Sequence, residues 1–537
     1  MSHRVRRNIA WSAPRSKTAE KESPDRFSRT MLVLKAYAAD FSTDANNSAL
    51  ITFDEIFAPR QRRNNNKNEN KKKRREISRP SDLANQGGTP VSRRKLTRRQ
   101  FVAATALSSA ALVAAPFVRT AHAAGKLTIG FWDHWVPGAN KASTDLVNEW
   151  AAKEKVEVQI DYITSQGQKL LLTQTAEAQA KSGHDILASG NLWQPQALAD
   201  LMEPMNDIME PIIKQNGEVN GTVKYLGQAK GKWLAVPATI GSQIKGPCSR
   251  IDLMKKLADI DVQAMYPAGS PPKAENWTLD TFLKAAEACQ KGGHAFGIGL
   301  GQTSDSVDSA GAFFQSFDAQ LVDAKGDLTV KTDNVRQALD FYKKLISFLP
   351  PDVGAWDDAS NNKWLISGNG AMIMNPPSAW AVAKRDAPQI AAQCWTHGFP
   401  AGPKGRFAPY LPFFWSVWKF SPNKSAAKSL LTHLSQPASI ERLVTASGGY
   451  DLPAYEKLTT LKVWAEAEPP KGTLYHYPNP YNHQVLSIAA SPAPPNIAEQ
   501  IYNQATMTKM CLRYAQGETM EKTLAWAENE CEGFLRS

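Results

Sequence analysis

Strand and helix patterns alternate along the chain from residue 127 to residue 188. Apolar residues recur at every second position in 127–131 and 156–162, which predicts two strands with one buried face each. A third strand is predicted at 185–188. The segments between them are helical in pattern, one with Ser143 as its expected cap and one at 168–181. This β-α-β-α-β order predicts an α/β fold with a parallel sheet and helices on both of its faces.

Two of these predicted strands end in segments that mix aromatic and polar side chains. Ligands of parallel sheets bind beyond the carboxyl ends of the strands. An apolar ring beside hydrogen-bonding groups suits the apolar face and the hydroxyl rim of a sugar. With 15 Trp in the chain, core packing is the competing explanation for any one of them. The candidate binding residues at these exits are Trp132, Asp133, His134, Trp135, Ser189, Asn191 and Trp193.

The segment before the first strand has the three parts of an export signal. Arg98-Arg99 precedes an uncharged, Ala-rich stretch at 102–118, and Ala121-His122-Ala123 is a small-residue cleavage site. A membrane-spanning helix is the alternative, but this stretch is short and is broken by Pro116. An arginine pair before a weakly apolar stretch is typical of twin-arginine signals. We therefore expect a twin-arginine signal at 91–123, cleavage after Ala123, a partnership with the twin-arginine export machinery, and a periplasmic protein.

Residues 1–90 are strongly basic and cannot form a core, so we expect them to be disordered. Our hypothesis is that they are an artefact of a wrongly assigned start and that translation begins near Val91. Residues 1–123 hold 25 of the 63 basic residues and 10 of the 51 acidic ones, so the remainder has a net charge of about −3. The mature protein therefore gives no charge-based reason to expect nucleic acid or a membrane as a partner.

The mature part, 124–537, is 414 residues long and exceeds the size at which a single core stops growing. It holds all five cysteines, which are widely spaced, with no C-x-x-C pair and no zinc-type spacing. We interpret most of them as buried small hydrophobic residues and leave a single disulfide open. We expect no metal and no cofactor.

Several short motifs then occur in a characteristic order between residues 126 and 535. Together they resemble the extracellular solute-binding proteins of ATP-driven (ABC) importers, in the carbohydrate-binding group that includes maltose-binding protein. The motifs are Asn276-Trp277-Thr278 with the helix that follows, 326–330, 338–345, 367–375, and Ser421-Pro422-Asn423-Lys424 with Ala427-Lys428.

The resemblance implies a two-lobe periplasmic binding protein fold with a hinge and an interlobe cleft. The first lobe would comprise 126–238 plus 398–434, and the second 242–396 plus 436–537. The chain would cross between them near Pro237 to Ser242, near His397 to Phe399 and near His433 to Gln436.

The same resemblance implies a function without catalysis. The protein would bind a sugar in the cleft, close around it, and deliver it as a monomer to the permease subunits of an ABC importer in the inner membrane. In addition to the strand exits, the family's binding positions correspond here to Thr239, Gly241, Ser242, Gln243, Trp380 and Trp415.

Two kinds of alternative remain open. A polyol, glycerol phosphate, an acidic sugar or a polyamine could replace the sugar. An anionic ligand would require Lys or Arg in the cleft, and we interpret Lys245 and Arg250 as solvated surface charges; a polyamine would require carboxylates, such as Asp133 with Asp185. A periplasmic enzyme is the other alternative, although H-E-x-x-H, G-x-S-x-G and P-loop motifs are absent from the sequence.

Overall fold

A computed structural model of the protein describes residues 126–189, 191–474 and 484–536. The predicted disordered segment 1–90 and the predicted export signal at 91–123 lie outside the described residues. In the described part of the chain, no helix is long and apolar enough to cross a membrane.

The strands are β1 Leu127–Trp132, β2 Val158–Ile163, β3 Ile186–Ser189, β4 Gln228–Ala229, β5 Lys232–Trp233, β6 Val236–Ile244, β7 Pro247–Arg250, β8 Met372–Met374, β9 Cys394–Thr396, β10 Phe407–Val417 and β11 Val485–Ser487. The α-helices are α1 Pro137–Glu154, α2 Lys169–Ala180, α3 Gln194–Ala197, α4 Asn206–Asn216, α5 Gly221–Gly227, α6 Ile251–Ala258, α7 Val262–Met265, α8 Leu279–Lys291, α9 Ser304–Ser316, α10 Asp333–Ile346, α11 Ser360–Ile366, α12 Pro376–Asp386, α13 Pro388–Ala391, α14 Lys424–Leu434, α15 Pro437–Ala446, α16 Val463–Glu466, α17 Pro495–Asn503, α18 Thr506–Ala515 and α19 Met520–Arg536.

The larger sheet has the order β11-β10-β3-β1-β2, with β6 also paired to β10. The predicted parallel arrangement of the first three strands is confirmed, since β1 pairs in parallel with both β2 and β3. The sheet as a whole is mixed, because β10 runs antiparallel to β3 and to β6. The sequence pattern could not show this, since β10 lies more than 200 residues beyond β3.

A second, antiparallel sheet has the order β8-β7-β9. Its central strand β7 begins three residues after β6 ends, so the chain passes from the larger sheet to the smaller one at Lys245 and Gly246. The chain returns between β9 and β10. The two sheets are the centres of the two lobes of this α/β fold.

The helix boundaries follow local chemistry, with one correction. Helix α1 begins at Pro137, whose fixed φ suits the first helical position. The prediction that Ser143 caps this helix is wrong, because Ser143 lies in its second turn and its hydroxyl donates to the Ala139 carbonyl over 2.9 Å. Helix α8 is capped by Thr278, whose Oγ1 accepts the Thr281 N–H. Gly517 lies in the break that separates α18 from α19.

The junction of β6 with β10 is irregular at the first predicted crossing. Leu411 pairs with Gln243 and Phe413 with Ala238, so residues 239–242 bulge out of the ladder. Gly241 lies in this bulge at φ +92°, a conformation that L side chains rarely adopt. Near the third predicted crossing, α15 remains attached to α1 through an ion pair of 2.7 Å between Arg442 and Glu149. The lobe boundaries given above stay a prediction.

Candidate functional site

The exit of β1 and the bulge in β6 meet in one buried cluster. The rings of Trp132, His134 and Tyr450 lie 4.5 to 6.1 Å apart, and Phe413 lies 5.2 Å from Trp132. His134 Nδ1 accepts the Val136 N–H, so its Nε2 carries the proton that faces Asp451 Oδ1 at 3.2 Å.

Asp451 connects this cluster to the bulge. Its Oδ1 also accepts the Gly241 N–H over 2.8 Å. Trp132 Nε1, Gln243 Oε1 and Asp451 Oδ2 are buried and have no hydrogen-bond partner among the described residues. Trp132, His134 and Gly241 therefore lie in one cluster, Gln243 follows two residues later in β6, and the contact of all four with a ligand stays a prediction.

The other predicted binding residues are dispersed. Ser242 Oγ donates to the Ala238 carbonyl and accepts the Phe413 N–H, which closes the bulge. The indole N–H of Trp380 donates to the Pro469 carbonyl, and Trp193 donates to the Ala489 carbonyl. The rest are buried (Ser189, Asn191, Thr239 and Trp415), half-buried (Trp135) or exposed (Asp133).

A cavity of about 250 Å³ lies between the segment that follows β2 and the second lobe. Its walls come from four stretches that are distant in sequence: 165–171, 301–307, 354–358 and 502–503. Of the predicted binding residues, Asn191 is the one that lines it. Sequence reasoning missed the rest of this cavity, although Trp356-Asp357-Asp358 has the same mix of ring and polar groups that marked the strand exits.

Side-chain amides bridge the cavity from one side to the other. Asn191 Nδ2 donates to Asn503 Oδ1, and Gln168 Nε2 donates to the Gln302 carbonyl over 3.3 Å. Gln302 Nε2 in turn donates to the Asn503 carbonyl over 2.6 Å. The two walls therefore contact each other directly through polar groups that are also suited to sugar hydroxyls.

A buried ionic cluster lies beneath the cavity. The Lys245 side chain is completely buried, and its Nζ lies 2.8 Å from Asp305 Oδ1 and 3.0 Å from Asp308 Oδ2. Burial alone would lower the pKa of Lys245, but Asp305 and Asp308 raise it above its ordinary value. Our interpretation of Lys245 as a solvated surface charge is therefore wrong. Arg250 is also largely buried and is bonded to Asp252.

The two carboxylates of the cavity wall differ in their surroundings. Burial and the nearby charge of Asp305 raise the pKa of Asp358 to about 7. Burial also acts on Asp357, but hydrogen bonds from Ser360 and Ala359 lower its pKa. The carboxylates that we had considered for a polyamine lie elsewhere: Asp185 is bonded to Thr128 and Ser421, and Asp133 to Asn140.

One pair has the appearance of an enzyme's nucleophile and base. Ser249 Oγ lies 2.7 Å from His397 Nε2, and His397 Nδ1 donates to the Gly398 carbonyl. Both residues are buried and neither lines the cavity. Burial lowers the pKa of His397 to about 3. The pair connects β7 to the segment after β9. Among the described residues, no group of three or more His, Cys, Asp or Glu could hold a metal ion. All five cysteines are buried and free.

Residues 145–469, more than half of the chain, match the family of bacterial extracellular solute-binding proteins. The chain belongs to that family, whose members bind solutes outside the cytoplasm. A probable ABC transporter-binding protein of Deinococcus radiodurans is 26% identical over 236 residues. That match covers 42% of this chain and 50% of the relative, so the chain spans about half the length of this curated relative.

The fold is shared with solved sugar-binding proteins. Maltose-bound MalE3 of T. maritima superposes with a TM-score of 0.61 at 18% identity, covering 76% of this chain and 99% of that one. A chitin oligosaccharide binding protein superposes with a TM-score of 0.61 at 17% identity, covering 77% of this chain and 100% of that one. The sugar-binding protein MalE of Xanthomonas citri superposes with a TM-score of 0.58 at 16% identity, covering 77% of this chain and 98% of that one. At these identities the likeness establishes the two-lobe fold alone.

Proposed function

We propose that this protein binds a sugar or a sugar-like solute in the cavity between its lobes and delivers it to the permease of an ABC importer. The observation that carries the proposal is the cavity itself, which combines Trp356 with residues that bear amides and hydroxyls from both walls. Such a mix suits a ring with an apolar face and a polar rim. The solute-binding family and the sugar-binding proteins of the same fold support the same function.

The size and charge of the cavity narrow the choice of solute. About 250 Å³ is slightly below the roughly 300–1,000 Å³ of typical ligand pockets, which favours a compact solute over a long oligosaccharide. Among the described residues, the charged ones that line it are Asp357 and Asp358, and no Lys or Arg does so. Glycerol phosphate and acidic sugars are therefore disfavoured, because a phosphate or carboxylate requires a cationic partner.

The predicted residues around the hinge have a second role in this proposal. The cluster of Trp132, His134 and Gly241 contacts the bulge in β6 at which the lobes would move relative to each other. We assign to this cluster the change from an open to a closed cleft.

We also propose that the protein lies in the periplasm, after twin-arginine export and cleavage of the signal after Ala123. We keep the lobe boundaries at 126–238 plus 398–434 and 242–396 plus 436–537, and the two passages between the sheets support the first two of the three crossings.

A thermal-shift screen tests the proposal. Purified protein is titrated with mono- and disaccharides, polyols and sugar phosphates, and a true ligand at 100 times its Kd adds about 2.7 kcal/mol to the free energy of unfolding. Trp356→Leu should weaken binding of the hit. Trp364→Leu is the matched control, since Trp364 packs 5.8 Å from Trp356 and does not line the cavity. If no solute stabilises the protein, or if both variants bind equally well, the proposal fails.

A further inference from the structure

The charged groups that line the cavity are of one sign. Asp357 and Asp358 are both acidic, and the described part of the chain contributes no Lys, Arg or His to the lining. A concave site with carboxylates as its charged groups concentrates cations and repels anions. A neutral sugar would bring no positive charge to these carboxylates.

The buried cation beneath the cavity is already fully used. A lysine ammonium has three N–H donors. Those of Lys245 face Asp305 Oδ1, Asp308 Oδ2 and Ser304 Oγ, at 2.8, 3.0 and 3.0 Å. Two carboxylates therefore pair directly with one ammonium group, and no donor of Lys245 is left for Asp358, which the lysine charge attracts without a hydrogen bond.

Asp305 is satisfied by further partners, whereas Asp358 is satisfied only in part, through hydrogen bonds with the Asp305 backbone and the Thr303 side chain. The other oxygen of Asp305 accepts hydrogen bonds of 2.9 Å from the amides of Asn361 and Asn375. Asp358 Oδ1 is buried and has no hydrogen-bond partner among the described residues. An unpaired carboxylate oxygen in a buried position is costly unless a ligand donates to it.

We infer that the solute carries a protonated amine beside its hydroxyl groups, as an amino sugar does, and that Asp358 is the side chain that pairs with that amine. This inference rests on the proposed function and names the ligand class of the same cavity. A sugar hydroxyl would supply Asp358 with a hydrogen bond alone, while an ammonium group supplies the hydrogen bond and the missing positive charge. Gln168, Gln302 and Thr303 then face the hydroxyl groups.

Matched pairs of sugars test the inference near pH 7. Calorimetric titrations of the full chain would compare glucosamine with glucose and with N-acetylglucosamine, galactosamine with galactose, and the chitosan disaccharide with its diacetylated form. In at least one pair the amine should bind roughly tenfold or more tightly, because a charge-assisted hydrogen bond replaces a neutral one.

The results separate this inference from the proposed function. If the neutral or acetylated sugars bind as tightly as the amines or more tightly, the inference that the solute carries an amine is overturned, and the proposed sugar-binding function remains. Glucose 6-phosphate is titrated as well, and if it binds more tightly than any of the amines, the inference of an amine is also overturned. If none of these probes binds, both proposals fall.

Two substitutions assign the effect to one carboxylate. Asp358→Asn keeps the shape of the side chain and should abolish the preference for the amine over its matched neutral sugar. Asp352→Asn removes the same charge from an exposed position outside the cavity lining and should keep the preference. Loss of the preference in both variants would show a long-range charge effect and would overturn the role of Asp358. The wild-type comparison remains decisive even if Asp358→Asn does not fold.

Discussion

The ammonium group of Lys245 lies 2.8 Å from a carboxylate oxygen of Asp305, and the lysine side chain is fully buried. Lys245 directly follows strand β6, at the passage between the two sheets. Asp305 lies in the first turn of α9, next to the cavity wall. One ion pair therefore fixes the wall of the ligand cavity to the connection between the lobes.

Lys245→Met should lower the free energy of unfolding by about 3–5 kcal/mol, because it leaves Asp305 and Asp308 buried without their cation. Urea unfolding measures the loss. Lys255→Met is the control, since Lys255 pairs with Asp259 on the surface and its removal should have no measurable effect. A small loss for Lys245→Met would mean that the cluster is hydrated or loosely packed.

Gly241→Ala should destabilise the protein by more than backbone strain alone would. A Cβ at Gly241 would lie 2.7 Å from the Phe413 ring, in addition to the positive φ. Gly231→Ala is the matched control, because Gly231 has φ +74° and none of the described residues beyond its chain neighbours has an atom within 4 Å of the added carbon. The free energy of unfolding should fall by about 1–2 kcal/mol in Gly231→Ala and by roughly 1–3 kcal/mol more in Gly241→Ala. Equal losses in thermal or urea unfolding would show that Phe413 moves aside freely.

Asn191 and Asn503 should be energetically coupled across the cavity. A double-mutant cycle of Asn191→Ala and Asn503→Ala should give a coupling of about 0.5–1.5 kcal/mol, the net contribution of one hydrogen bond. Small-angle scattering of the double variant should show a larger radius of gyration. The exposed amide pair Gln215 and Gln436 is the control and should couple less. Additive losses for Asn191 and Asn503 would contradict a bridge between the walls.

His184 should make stability depend on pH. Hydrogen bonding to Glu177 and its charge raise the pKa of His184, against the effect of burial, and Asp161 contributes from 3.1 Å. A raised pKa in the folded state stabilises the protein fully below the unfolded value of about 6.5, and this stabilisation is lost as pH rises through the folded pKa.

The measurement is the difference in free energy of unfolding between wild type and His184→Gln. This difference should be largest in mildly acid solution and should shrink above about pH 6.5. The control is His294→Gln, since the His294 ring bonds to the Gly368 carbonyl rather than to a carboxylate. If the difference in free energy of unfolding for His184→Gln does not change with pH, His184 is not the source of the pH dependence.

The sequence by itself determined the parts that depend on neighbouring residues. The first three parallel strands, the Thr278 cap of α8 and the break at Gly517 follow from periodicity, side-chain capping and glycine, all of which act within a few positions of the chain. The motif order also gave the family and the two-lobe fold. The Ser143 cap failed because Pro137, six residues earlier, is the better start for the same helix.

Only the tertiary structure decided where the cavity lies and which charges surround it. Its walls join residues more than 300 positions apart, such as Gln168 and Asn503, and no local pattern connects them. The burial of Lys245 likewise depends on Asp305 and Asp308 sixty residues away, because a lysine is removed from water only where carboxylates offset the lost hydration. Periodicity identifies which face of an element is buried, but it does not identify the distant partner that covers that face.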